Sequence, residues 1–140
     1  MRFLDSSVLL HAYLKPRRKL RPEEVRIKEN AKKIIKRIDE GKEEVLITVV
    51  HLSEIVNIIE SYIGLRESIR LLARILALGN ISVVNVNRRD YEKALFISSH
   101  YNVSVNDGVA YIKMRESNIN EIYTFDKHFR NLPDIKIIQE

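Results

Sequence analysis

The chain alternates short apolar runs with longer stretches of helical periodicity, a pattern that predicts an α/β fold. Arg2 to Leu4 reads as a first strand, and a helix follows to about Leu14, with Ser6 or Ser7 as its cap. Pro22 opens a long helix in which Val25, Ala31, Ile34, Ile35 and Ile38 form one stripe. Gly41 stops that helix before the β-branched run Val45 to Val50, read as the second strand. His51 to Ile63 is the clearest amphipathic helix: Leu52, Ile55, Val56, Ile59, Tyr62 and Ile63 share a face, and Glu54, in its first turn, points away from them. After Gly64, a helix from Arg66 to Leu78 places Ile69, Leu72, Ala73 and Leu76 on one side. A strand Ile81 to Val86, helices Arg88 to Tyr101 and Asn106 to Glu116, a strand Glu121 to Phe125 and a short strand Ile135 to Ile138 complete the pattern.

Strands separated by helices lie parallel, so the expected architecture is three-layer α/β/α with a central parallel sheet of four to five strands, in one domain over residues 1–140. Ligand sites of such sheets lie at the carboxyl ends of the strands. Asp5 closes the first strand, Glu54 sits early in the helix leaving the second, and Asp126 follows the strand ending at Phe125. Asp107 opens the helix feeding that same strand, so an antiparallel packing brings it to the same edge. Four acids are thus expected together. Two carboxylates about 4 Å apart repel by roughly 4 kcal/mol at an effective dielectric near 20, so the cluster calls for protons or a cation. All-oxygen ligands select a hard divalent ion, Mg²⁺ or Mn²⁺.

Charge sharpens the picture. The formal net charge is +5, and residues 1–42 carry 13 basic against 6 acidic side chains. Lys15, Arg17, Arg18, Lys19 and Arg21 form a basic run bracketed by Pro16 and Pro22, which suits a nucleic-acid partner and equally a solvated loop. Cysteine is absent, which excludes disulfides and cysteine-rich zinc sites. The lack of an apolar stretch near twenty residues leads us to expect a cytoplasmic protein without a membrane segment, and the wealth of Lys, Arg, Glu and Ile points to a thermophilic source.

The residues Asp5-Ser6-Ser7-Val8-Leu9 after a strand, Ser53-Glu54-Ile55 early in a helix, Asn106-Asp107-Gly108-Val109-Ala110 opening a later one, and Thr124-Phe125-Asp126-Lys127-His128-Phe129 after a strand resemble the PIN-domain family in order and spacing. The resemblance covers essentially the whole chain and is strongest to the VapC-type toxins. It implies a divalent-metal-dependent endoribonuclease that leaves a 5′-phosphate, with Asp5, Glu54, Asp107 and Asp126 as catalytic metal ligands and helper hydroxyls at Ser6 and Thr124. It also implies an RNA substrate, a small antitoxin protein as partner, and a homodimer. A housekeeping RNA-processing nuclease and a non-catalytic RNA-binding module are the alternatives within the fold.

Each acid also has a plainer reading. Asp5 can cap the first helix, Asp107 can complete a capping box with Ser104, Glu54 can be a solvated helix residue and Asp126 can start a turn. His51 and Glu54, three apart, suggest a zinc pair, but no HExxH pattern accompanies them, and His11, His100 and His128 read as scattered. Tyr13, Tyr62, Tyr91, Tyr101 and Tyr111 read as packing residues. A phosphoryl-receiver domain lacks its acceptor Asp after Ile81 to Asn87, and a dehalogenase-like phosphatase would need an acid where Ser7 stands.

Overall fold

The computed structural model describes residues 1–140, and its sheet is wholly parallel, with five strands in the order β3-β2-β1-β4-β5. The strands are β1 (Arg2–Leu4), β2 (Val45–Thr48), β3 (Ile81–Val84), β4 (Glu121–Tyr123) and β5 (Lys136–Ile138). Between them run α1 (Ser6–Tyr13), α2 (Pro22–Asp39), α3 (Val49–Tyr62), α4 (Leu65–Ala77), α5 (Arg88–Tyr101) and α6 (Val105–Glu116), with a 3₁₀ helix at Lys127–Asn131. This is a three-layer α/β/α sandwich, as the alternating pattern requires.

Strand alternation builds two cores. Leu4, Val45, Ile47 and Tyr123 face one side with Val8, Leu9, Ile34, Ile38, Ile55, Ile59, Leu71 and Ile75 from α1 to α4. Phe3, Leu46 and Ile122 face the other with Ala110, Met114 and Phe129, and α5 closes over α6 through Ala94, Val109 and Ile112. Chain order reverses at β1, which pairs with β2 on one side (Phe3 with Leu46) and β4 on the other (Leu4 with Tyr123). The crevice beyond β1 and β4 is therefore the topological switch point.

Several expected boundaries move for identifiable reasons. Asp5, rather than Ser6 or Ser7, caps α1 by accepting from the Ser7 amide. Val49 and Val50 open α3 instead of ending β2, because the Thr48 hydroxyl accepts from the His51 amide at 3.1 Å and starts the helix there. β3 stops at Val84 because Asn87 and Asp90 form a reciprocal capping box for α5. On α4 the buried face is Ser68, Leu71 and Ile75, whereas Ile69 and Leu76, expected in the core, are 56% and 60% exposed. That helix has apolar residues on two faces, and the sheet takes only one. Val25 on α2 and Tyr62 and Tyr91 are likewise exposed rather than packed.

Gly108 lets α6 lie against α5: a Cβ there would stand 2.9 Å from the Ala94 carbonyl oxygen and 3.3 Å from Ala94 Cα, both backbone atoms that cannot swing away. Gly108→Ala should therefore destabilise the protein by about 1–3 kcal/mol, as overpacking does, seen as a lower urea midpoint with little change in slope.

Candidate active site

Four helical N-termini and two strand ends meet at the switch point, and each contributes a polar side chain. Asp5, Glu54, Asp107 and Asp126 all line one cleft there, together with Ser6, Ser7, His51 and Asn106. All four acids named from the sequence are thus gathered, although Glu54 lies in the second turn of α3 because that helix begins at Val49.

Asp5 is buried, and its carboxylate is held by hydroxyls from the first turn of α1 and the end of β4: Ser7 Oγ donates to Oδ2 at 2.6 Å and Thr124 Oγ1 donates to the same atom at 2.8 Å. The Ser7 amide also approaches Oδ2, so every recorded donor falls on one oxygen and Oδ1 is left for a cation. Thr124 extends the network by accepting from the Asp126 amide at 3.0 Å, and Ser7 Oγ accepts from the Phe125 amide at 3.1 Å. Thr124 thus bridges Asp5 and the backbone of Asp126. Ser6 does not touch Asp5; its hydroxyl donates to Glu54 Oε1. Asn106 Nδ2 donates to Glu54 Oε2 at 3.3 Å, so Glu54 is tied to both neighbouring helices rather than solvated.

Asp107, the third residue of α6, has its amide capped by the Ser104 hydroxyl at 3.1 Å, but its buried Oδ2 has no partner. Burial raises its pKa, and the carboxylates of Asp126 and Asp5 raise it further, to about 6 against Ser104 hydrogen bonding. Burial also pushes Asp5 upward, opposed by Ser7, the nearby His51 and Thr124. Asp126 caps the 3₁₀ helix, with Oδ1 accepting from the His128 amide at 2.9 Å.

Sequence reasoning missed three participants. Ser7 is the second hydroxyl on Asp5, a role that its place two residues past the acid, as in a helix cap, signals. His51 is buried with its ring nitrogen Nδ1 2.7 Å from Thr48 Oγ1, its Nε2 has no partner, and burial holds it below its ordinary pKa against the pull of Asp5 and Glu54. His51 and Glu54 are not among the side chains whose ligand atoms converge on one point. His128, read as scattered, stands beside Asp126, with its Nδ1 2.9 Å from Oδ1.

A divalent cation fits this donor set. The ligands are oxygens, Asp5 Oδ1 lacks a protein donor, and Asp107 Oδ2 is a buried anion oxygen with nothing to neutralise it. A proton, a cation or a hydrogen-bond donor from outside the chain satisfies such an atom.

The basic run is exposed along the loop after α1, and Lys15, Arg17 and Arg18 rim a groove floored by Leu10, Leu14, Leu20 and Ile27. Leu10 also lines the acidic cleft, so the two surfaces adjoin. Arg18 is already bidentate on Glu24, at 3.0 and 2.7 Å, and Arg21 bonds the same carboxylate at 2.9 Å. These guanidinium groups hold Glu24 well down, at a pKa of about 2. Lys15, Arg17 and Lys19 have no carboxylate partner.

The model of the PIN domain matches residues 2–135. No curated protein matches the sequence. Among solved structures, VapC20 from Mycobacterium tuberculosis, a sarcin-ricin loop cleaving toxin, is 20% identical with a TM-score of 0.70 over 93% of both chains. A toxin–antitoxin complex from Klebsiella pneumoniae is 12% identical with a TM-score of 0.65, over 97% of this chain and 96% of that one.

The raised pKa of Asp107 predicts a pH-dependent stability. Folding favours its protonated form, so that contribution is full below the unfolded carboxyl pKa and is lost as pH rises through about 6. Asp107→Asn should therefore be more stable than wild type at pH 7.5 in chelator by about 2 kcal/mol, seen as a higher unfolding temperature. The gain should shrink toward zero as pH falls from 6 to about 4; a gain independent of pH would detach it from this carboxylate.

Proposed function

The chain belongs to the PIN-domain family, and we infer that it is a divalent-metal-dependent endoribonuclease, one domain over residues 1–140, acting in the cytoplasm as the toxin of a VapBC-type toxin–antitoxin pair. The observation that carries the reading is the buried, unpartnered Oδ2 of Asp107 in a cleft with three further acids at the switch point.

Asp5, Glu54, Asp107 and Asp126 would hold Mg²⁺ or Mn²⁺, which supplies activation of a water for in-line attack on phosphorus and neutralises charge developing on the phosphate oxygens. The chain's own residues fix the ligands. Ser7 and Thr124 keep the Asp5 carboxylate turned so that Oδ1 faces the cleft. Ser6 and Asn106 hold one Glu54 oxygen each and stop that long side chain from sampling solvent. The half-buried setting of the cleft strengthens every interaction with the reacting phosphate over its value in water.

Cations for the flanking RNA phosphates are at hand beside this edge. Lys15, Arg17 and Lys19 are uncommitted, and Arg26 and Arg130 line an adjoining cleft with Phe125. The toxin role draws support from the VapC20 likeness and from the Klebsiella complex, and an antitoxin fits the groove floored by Leu10, Leu14, Leu20 and Ile27. A peptide lying there reaches the acidic cleft at Leu10, where an Arg or Lys side chain would compete with the cation. Self-association as a homodimer is supported by the exposed apolar stripe of Leu65, Ile69 and Leu76 with Tyr62 and Ile63, a surplus that the core leaves over. No helix is long and apolar enough to cross a membrane.

Purified protein should cleave single-stranded RNA with Mg²⁺ or Mn²⁺ and stop on chelation, and Asp5→Asn and Asp107→Asn should each lower the rate at least about 100-fold while remaining folded by circular dichroism. Undiminished cleavage in excess EDTA would sink the metal mechanism. In filter binding, Arg17→Ala and Lys19→Ala should each flatten the log-log salt slope by about 0.7, the increment for a phosphate contact on a single strand. Arg18→Ala should change it less, since Glu24 already occupies that guanidinium. An unchanged slope in all three would place the run away from RNA.

A further inference from the structure

A possible ligand atom that is not a carboxylate stands beside two of the acids of the cleft. One oxygen each of Asp107 and Asp126 and a ring nitrogen of His128 lie within 4.8 Å of one another. His128 Nδ1 is 2.9 Å from Asp126 Oδ1. With metal–ligand bonds of about 2.0–2.2 Å, neighbouring ligands of an octahedral ion stand about 3.0 Å apart and opposite ones about 4.2 Å. The nitrogen and oxygen are therefore spaced as an octahedral edge, and the whole set is within a small adjustment of closing on one ion.

We propose that His128 is a nitrogen ligand in this cleft, joining Asp107 and Asp126 on a divalent cation and making the site select Mn²⁺ and later first-row ions over Mg²⁺. The proposal rests on the reading of the cleft as a metal site. Two features of the chain prepare the arrangement. Asp126 caps the 3₁₀ helix by accepting from the His128 amide at 2.9 Å, which fixes the His128 backbone two residues on and delivers its ring to the same carboxylate. Asp107, 6% exposed, offers Oδ2 with no protein partner.

A plain surface histidine paired with its cap residue accounts for the 2.9 Å contact, since the His128 side chain is 67% exposed. It does not account for a third ligand atom within reach, nor for the orphaned oxygen of Asp107. His51, which lines the cleft, is not part of this set: the three ligand atoms that lie within reach of one another come from Asp107, Asp126 and His128, while the buried His51 ring is held by Thr48 Oγ1 at Nδ1 and packs edge-on against Phe3. The chemistry gives the selectivity its direction. Imidazole suits borderline first-row ions, whereas Mg²⁺ takes oxygen ligands and keeps its waters, so the nitrogen adds affinity for the first and little for the second.

The test titrates the full chain with Mn²⁺ and, separately, Mg²⁺ by calorimetry, and records the nitrogen coupling of bound Mn²⁺ by pulsed electron paramagnetic resonance. No RNA is needed. His128→Ala, at an exposed position and so expected to fold, should weaken Mn²⁺ binding about 10-fold or more and Mg²⁺ binding less than about threefold, and should remove the coupling. Equal weakening of both ions, no weakening of Mn²⁺, or a coupling that survives in His128→Ala would overturn the proposal. Asp107→Asn separates this from the underlying reading: it should cost the site both ions. If that variant binds both as wild type does, the cleft is not the metal site at all, whereas a failure confined to His128→Ala leaves an all-oxygen site standing.

Discussion

The crowding of a buried Asp107 against the carboxylates of Asp5 and Asp126 is the constraint that the rest of the molecule answers. Groups that would drift apart in water are pinned by a parallel sheet whose centre strand ends at Asp5 and whose neighbour leads into Asp126. The pinning uses the means that also start helices. Asp5 caps α1, Asp126 caps the 3₁₀ helix, and Asp107 lies in the first turn of α6. Amides and partial positive charge at helix N-termini offset part of the repulsion, so the capping reading and the metal reading of these acids describe the same residues at two levels. What capping leaves unanswered is Asp107 Oδ2, and that remainder is where chemistry enters.

Periodicity made the layers legible, because a parallel sheet demands alternating apolar runs and covering helices. Order along the chain made the four acids legible, since strand ends and helix starts share one edge in such a sheet. Side-chain partnership was not legible. Which hydroxyl serves Asp5 is legible only once Asp5 itself is taken as the cap of α1, which brings Ser7 to its carboxylate and leaves Ser6 to turn to Glu54. The face of α4 was misjudged for a related reason. Ile69 and Leu76 share a good helical stripe, and only the position of α3 decides that Leu71 and Ile75 meet the sheet instead.

Charge in the first third of the chain also changed meaning once placed. Five cations in seven residues look like one basic patch, yet Glu24 draws two of them into a local knot. The sequence distance of six residues between Arg18 and Glu24 conceals this, because the turn at Pro22 brings the helix start back under the loop. Lys28 closes the same corner by donating to the carbonyls of His11 and Leu14, the otherwise open end of α1.

Gly108 adjoins Asp107, and the α5–α6 pair it permits forms a layer with its own small core, separated by the sheet from the core under α1 to α4. The cleft draws Asp5 and Glu54 from one layer and Asp107 from the other. Its integrity is therefore a property of neither half alone. Partial opening of the thinner layer, the kind of subglobal fluctuation that amide exchange detects, would scatter the ligands while most of the sheet stayed paired. The cleft is therefore a reporter on the docking of the two layers.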